Sequence, residues 1–185
     1  MSGFFIGIFI GLSVSIALWW FPIASDILDP YLVVLNAMPK VALGPIIIIW
    51  AGAGMGSIII MTLAISTIST VIGVYGGFNS VEREKLLLLK TLGATKWQLL
   101  TKVVMPASYS NIISNLKINV GMCWVGVIMG EFLVSKAGLG YLIMYGSQVF
   151  NLDLVMCGIV LVSLCAALMY SLIFYIEKQL KTKFE

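Results

Sequence analysis

Hydrophobic residues in this chain come in long blocks, the signature of lipid-facing helices. Five blocks stand out, at 4–21, 32–50, 58–74, 112–134 and 154–176. Each is near the roughly 20 residues that carry a helix across about 30 Å of hydrocarbon. The pattern predicts an all-α fold: a polytopic transmembrane helical bundle of about five spans, with 1–185 forming a single domain. The first block has no basic region before it and runs too long for a cleaved leader, so it reads as a true span.

The apolar pattern stops in one long stretch, 75–111. Asn79 or Ser80 can cap a helix there, and Glu82 sits three residues after Asn79 as a capping box requires. The run from Glu82 to Leu92 favours helix, and Gly93 supplies a left-handed stop. Thr95-Lys96-Trp97-Gln98 offers a second capping box, and Pro106 is expected to end the helix it starts. Two short amphipathic helices bent at Gly93 follow, occupying 79–106. Leu86, Leu89 and Leu92 are expected on one apolar stripe, with Arg83, Lys85 and Lys90 pointing elsewhere. Such a pair can rest on lipid headgroups or insert its apolar face into a groove of a partner. The pattern alone leaves both open.

Composition agrees with the blocks. The 185 residues are 61% hydrophobic and 10% charged, with mean hydropathy +1.08, too apolar for a soluble domain to cover its own surface. The net charge of +3 is modest, but its placement matters. Arg83, Lys85, Lys90, Lys96 and Lys102 lie in the polar stretch, and Lys178, Lys181 and Lys183 in the C-terminal tail. By the positive-inside rule both segments are cytoplasmic, which places the N-terminus outside and the short loop holding Asp26 and Asp29 inside. The cluster is read as an orientation signal rather than a nucleic-acid or anionic-lipid site. Cys123, Cys157 and Cys165 fall in apolar spans, and with no His in the chain neither a disulfide framework nor a zinc site is expected. No cofactor is expected.

The residues then resemble a family. Gly93-Ala94-Thr95 with Val103-Val104-Met105-Pro106-Ala107 is similar to the signature "EAA" loop of ABC importer permeases. Asn115-Leu116-Lys117-Ile118-Asn119-Val120-Gly121 resembles the family's Gly-Leu-Arg-Ile-Ala-Leu-Gly stretch. Gly130-Glu131-Phe132-Leu133 and Gly138-Leu139-Gly140-Tyr141-Leu142-Ile143 resemble its Ala-Glu and Gly-Leu-Gly-Tyr-Leu-Ile segments. Pro39 to Pro45 and Trp50-Ala51-Gly52 resemble its Pro-x-x-Ala-x-x-Pro and Trp-Phe-Gly elements. The likeness covers essentially the whole chain and is nearest the nitrate/sulfonate/taurine-type permeases. It departs from them at Leu87-Leu88-Leu89, where the family has Glu and two Ala, the nearest acid being Glu84. Members of that family usually carry a further N-terminal span, so a truncated or mis-started chain is expected, with a true five-span variant as the alternative.

The resemblance implies a membrane subunit of a bacterial inner-membrane importer. It implies ABC ATPase subunits below, an extracytoplasmic solute-binding protein outside and a second permease copy, a homodimer, in the bilayer. Segment 82–105 would be the coupling pair seated on the ATPase, with Glu84, Leu88, Leu89, Leu92, Gly93, Ala94 and Pro106 as its contact and hinge residues. No Walker A pattern occurs, so ATP hydrolysis is expected in a partner and the chain is not expected to be an enzyme. The alternatives are an ion-coupled secondary transporter, disfavoured because span interiors lack Asp and Glu apart from Glu131, and a non-transporting scaffold.

Four further positions are candidate pathway or gate residues. Lys40, bracketed by Pro39 and Pro45, either lines the pathway or snorkels to the interface. Glu131 is expected near the outer end of the fourth span, within reach of Lys136. Gly138 and Gly140 are expected to let a short re-entrant helix pack between spans.

Overall fold

A computed structural model describes residues 2–184. The first apolar block folds as α1 (Ser2–Trp20) and turns at Phe21 directly into α2 (Pro22–Ala37). A proline suits that start, since its missing N–H is one that the first helical turn leaves unbonded. Asp26 and Asp29, expected in a loop, therefore lie on a helix. The second block is not one straight helix. Met38 is extended ahead of Pro39, as a residue before proline prefers. A single 3-10 turn at Lys40–Leu43 then leads into α3 (Gly44–Ala51), and the two helical pieces are bent by 84°. The two prolines announce the break; its angle comes from packing.

Gly52, at φ +77, stops α3. The long helix α4 (Met55–Asn79) follows. It overruns its block by five residues, so the capping box expected at Asn79 and Glu82 does not form. Ser80 instead closes α4, donating its hydroxyl to the Gly77 carbonyl at 2.8 Å, and α5 (Arg83–Thr91) starts without a side-chain cap. Next come α6 (Lys96–Leu99), a π-helical turn at Leu100–Val104, and α7 (Met105–Ala107). Pro106 was expected to end this helix and does not. It stands in the first turn of α7, just after the widened turn, where a helix tolerates a missing donor. Past a bend at Ser108 the chain continues as α8 (Tyr109–Val134). The short α9 (Leu139–Gln148) and the long α10 (Leu152–Phe184) complete the bundle. Among the described residues four helices are long and apolar enough to cross a membrane, or up to five spans if the bent α2–α3 pair counts as one.

α4 is the spine, clasped between α1 and α8. Along α1, Gly3, Gly7, Gly11 and Ser15 recur every four residues and form one smooth face. Opposite them on α4 stand Thr62, Ser66 and Thr70 at the same spacing. A Cβ on Gly11 would lie 2.6 Å from the Thr70 Cβ, so only glycine permits this approach. Buried Ser15 donates to the Gly11 carbonyl at 2.8 Å and lies 3.3 Å from the Val71 carbonyl. On the other side Gly126 and Gly130 of α8 press against the backbone of Thr62 and Ile58. Lower down the pattern inverts. Asn111 and Asn115 of α8 occupy the space over Gly77 and Gly73, and buried Asn119 donates to the Thr70 hydroxyl. In lipid there is little hydrophobic drive between helices, so close van der Waals fit of small residues and hydrogen bonds between helices hold such a bundle.

α10 packs chiefly on α9 and α8, with Met169 and Ile173 against the cluster of Phe4, Val120 and Cys123, and leaves most of its surface exposed. Exposed Phe5, Phe9, Ile23, Ile49, Trp50, Leu164 and Leu168 give the molecule an apolar exterior. Contiguous apolar surface on this scale is stable only against lipid or another protein.

Candidate functional site

The α5–α6 pair forms a knob at the basic end of the bundle. Its bend is built as expected. Gly93 adopts φ +80, and its N–H and that of Ala94 bond back to the carbonyls of Lys90 and Leu89, each at 3.0 Å. The Thr95 capping box is complete: the Gln98 N–H donates to the Thr95 hydroxyl at 3.3 Å, and the Thr95 N–H donates to the Gln98 side-chain carbonyl at 2.8 Å. Both helix ends at the bend are therefore satisfied locally, and the knob keeps its shape.

Its inner side is anchored to three long helices. Val81, Leu100 and Val104 join Val74 and Phe78 of α4 in a buried cluster, with Leu86 of α5 and Trp19 and Trp20 of α1 packed against it. Lys96 donates to the Trp20 carbonyl, and its ammonium stands 5.4 Å from that indole centroid. The Trp20 and Trp97 rings approach to 6.3 Å. Buried Ser108 donates to the Gly77 carbonyl at 2.9 Å, tying the bend before α8 to the end of α4.

The outer side presents Leu87, Leu88, Leu92 and Trp97, which are 58%, 64%, 76% and 62% exposed. The stripe expected at Leu86, Leu89 and Leu92 is thus divided. Leu86 and Leu89 are half-buried toward the bundle, while Leu92 belongs to the exposed face. Of the other sequence candidates, Leu88 sits on that face and Glu84 is exposed in the first turn of α5. Gly93 forms the bend, half-buried Ala94 turns inward, and Pro106 lies beyond the π-turn, outside the knob. Leu87 and Trp97, not among the sequence candidates, also stand on the exposed face. Their run of adjacent apolar positions is visible in the sequence, but which side faces out depends on how α5 docks.

Glu131, Gly138 and Gly140 meet at the opposite end. The Glu131 carboxylate accepts from the Gly140 N–H at 2.7 Å, at the start of α9, where a negative charge meets the positive end of the helix dipole. It faces α9 rather than Lys136. A Cβ on Gly138 would fall 2.5 Å from that carboxyl group and one on Gly140 2.8 Å from the Glu131 Cβ. The two glycines make room for the acid. Lys40, at the α2–α3 bend, donates to the Asn36 carbonyl at 3.0 Å and lies 3.4 Å from its side-chain oxygen. It thereby satisfies the C-terminal end of α2.

One charged pair escaped sequence reading. Lys117 of α8 pairs with Glu177 of α10, with side chains 18% and 9% exposed, and the Lys117 ammonium also stands 5.2 Å from the Phe174 ring. Glu177 lies one residue past the predicted fifth block, so it looked like part of a polar tail. It is buried, and Glu131 is not the only acid inside the bundle.

A bundle of apolar helices, with small residues at its contacts and a rigid helical knob on one end, defines a multi-pass membrane protein. Residues 3–182 match the family described as "Binding-protein-dependent transport system inner membrane component", and the chain belongs to that family: it is a permease subunit of an ABC transporter. Among its relatives is the Haemophilus influenzae protein named "Probable ABC transporter permease protein", 32% identical over 92% of this chain and 70% of its own length. The taurine transport system permease protein TauC of Escherichia coli is 27% identical, over 91% of this chain and 62% of its own length. The formylaminopyrimidine transport permease protein ThiX of Halalkalibacterium halodurans is 30% identical, over 75% of this chain and 56% of its own length. The chain therefore spans 56% to 70% of the length of these three relatives.

Proposed function

We propose that this chain lines the path by which an importer moves a small organic anion or vitamin precursor across the inner membrane, driven by separate ATP-hydrolysing subunits. The α5–α6 knob seats on such a subunit through Leu87, Leu88, Leu92 and Trp97. The supporting observation is that four large apolar side chains stand exposed on a knob whose back is locked into α1, α4 and α8. Fluid surface helices would have no need of that anchoring. A solute-binding protein delivers substrate at the Glu131 end, and a second copy of the chain completes the path. The knob and the C-terminus face the cytoplasm in this reading, which the basic residues around them support. Taurine and formylaminopyrimidine, named for the relatives above, set the expected size and polarity of the solute.

Site-directed cross-linking in the assembled transporter tests this reading. Cys123, Cys157 and Cys165 are first replaced by Ala, and single cysteines are then placed at Leu88, Leu92 and Ala94. Leu88→Cys and Leu92→Cys should capture an ATPase subunit, and inward-facing Ala94→Cys should not. Failure of both exposed positions to capture an ATP-hydrolysing protein would end the proposal.

A further inference from the structure

Behind the knob lies a cavity of about 540 Å³. It is half open to the surroundings and lined by Leu18 and Trp19 of α1, Pro22 and Ser25 of α2, Tyr75 and Asn79 of α4, and residues of α5 and α6. Three cations reach it: Arg83, Lys90 and Lys96. Arg83 and Lys90 are seven residues apart, two turns of α5, and so share its inward face with Leu86. Among the described residues no carboxylate lines it. Of the two acids that flank Arg83 in sequence, Glu82 is engaged by Lys85 at 3.1 Å, and neither Glu82 nor Glu84 is among the lining residues. Lys96 donates one of its three N–H bonds to the Trp20 carbonyl and has two left.

We propose that this cavity is a binding site for a phosphate-bearing anion. Three cations lining one cleft give it a positive potential that attracts an anion, and a guanidinium fork matches phosphate oxygens in pairs. The remaining wall is of the opposite character. Leu18, Trp19, Pro22, Leu86 and Leu99 offer an apolar surface beside the charges, which suits the glycerol and first acyl carbons of an anionic phospholipid. The same phosphate chemistry could come from a soluble phosphate ester. Because α5 and α6 form half of the cavity, an occupant would stiffen the knob against the bundle. The inference stands on the cavity alone and does not require the ATPase docking proposed above.

Native mass spectrometry of the purified full chain in detergent tests it, with phosphatidylglycerol, phosphatidylcholine and glycerol 3-phosphate as probes. The variant Arg83→Gln/Lys90→Gln is compared with Lys85→Gln/Lys102→Gln, which removes equal charge from the same end but outside the cavity. Phosphatidylglycerol should bind the cavity variant about thirtyfold more weakly than wild type, the loss expected for two cations beside an anionic surface. The control variant and the charge-conserving Arg83→Lys/Lys90→Arg should retain binding. Glycerol 3-phosphate showing this pattern in place of the lipid would support the site and assign it a soluble occupant. Equal loss in both Gln variants, or no loss in either, would overturn the proposal. So would cross-linking of Lys90→Cys to an ATPase subunit, because the cavity would then be a protein joint.

Discussion

The α1–α4 seam permits a quantitative test at Gly11. An added methyl would sit 2.6 Å from both Cβ and Cγ2 of Thr70, against the 3.5–4.0 Å at which carbon atoms rest. The Thr70 Cβ cannot rotate away, so α1 must withdraw by about 1 Å, loosening the matching approaches at Gly3 and Gly7. Gly11→Ala is therefore expected to destabilise the protein by about 1–3 kcal/mol, the usual cost of overpacking. This holds although alanine is the better helix former by roughly 1 kcal/mol. Gly121→Ala on α8, with no atom near its added methyl, provides the propensity control and should be neutral or stabilising. Thr70→Gly should rescue Gly11→Ala in part, the deficit being the lost Asn119 bond of about 0.6 kcal/mol. Reversible unfolding of the purified protein in mixed SDS micelles measures all four. If Gly11→Ala is as stable as Gly121→Ala, the seam is not the tight contact described here.

Lys117→Met leaves Glu177 buried without that cation and should cost about 3–5 kcal/mol, whereas Lys117→Met/Glu177→Met should recover most of it; thermal unfolding in detergent reads both. Glu131→Ala should free the start of α9, losing about 1–3 kcal/mol, while Glu131→Gln keeps an acceptor and loses less; hydrogen exchange at 139–148 reports the difference. Gly93→Val forces a β-branched residue to φ +80 and should abolish ATP-driven uptake while the protein still inserts in the membrane, as uptake assays and membrane fractionation would show.

The spans were legible because α1, α4, α8 and α10 are long and apolar, and length alone identifies such helices. Their ends were less so. α4 runs on through Gly76 and Gly77 because Ser108, Asn111 and Asn115 pack on it from a helix far away in sequence, which no local pattern reports. Pro106 was misjudged for a related reason: proline opposes regular α-helix, and the widened turn before it removes the conflict. The bend at Gly93 and the Thr95 box were read correctly, since each is satisfied within a few residues. The four-residue recurrence of Gly3, Gly7, Gly11 and Ser15 was present in the sequence and went unread. Glycines in a membrane span become informative once a partner with its own small residues is known. Buried Glu177 pairs with Lys117 from a helix far away in sequence, a contact that neither segment encodes.

The near-continuity of helix from Lys96 to Val134 has a consequence of scale. α8 alone has 26 residues and so reaches about 39 Å. Pivoting it by only 5° about the bend at Ser108 would carry its far end sideways by roughly 3 Å, about the length of one hydrogen bond. Glu131 rides close to that far end, holding the first turn of α9. A stroke too small to disturb the tryptophans at one surface would thus be geared up to detach or reseat a helix at the other.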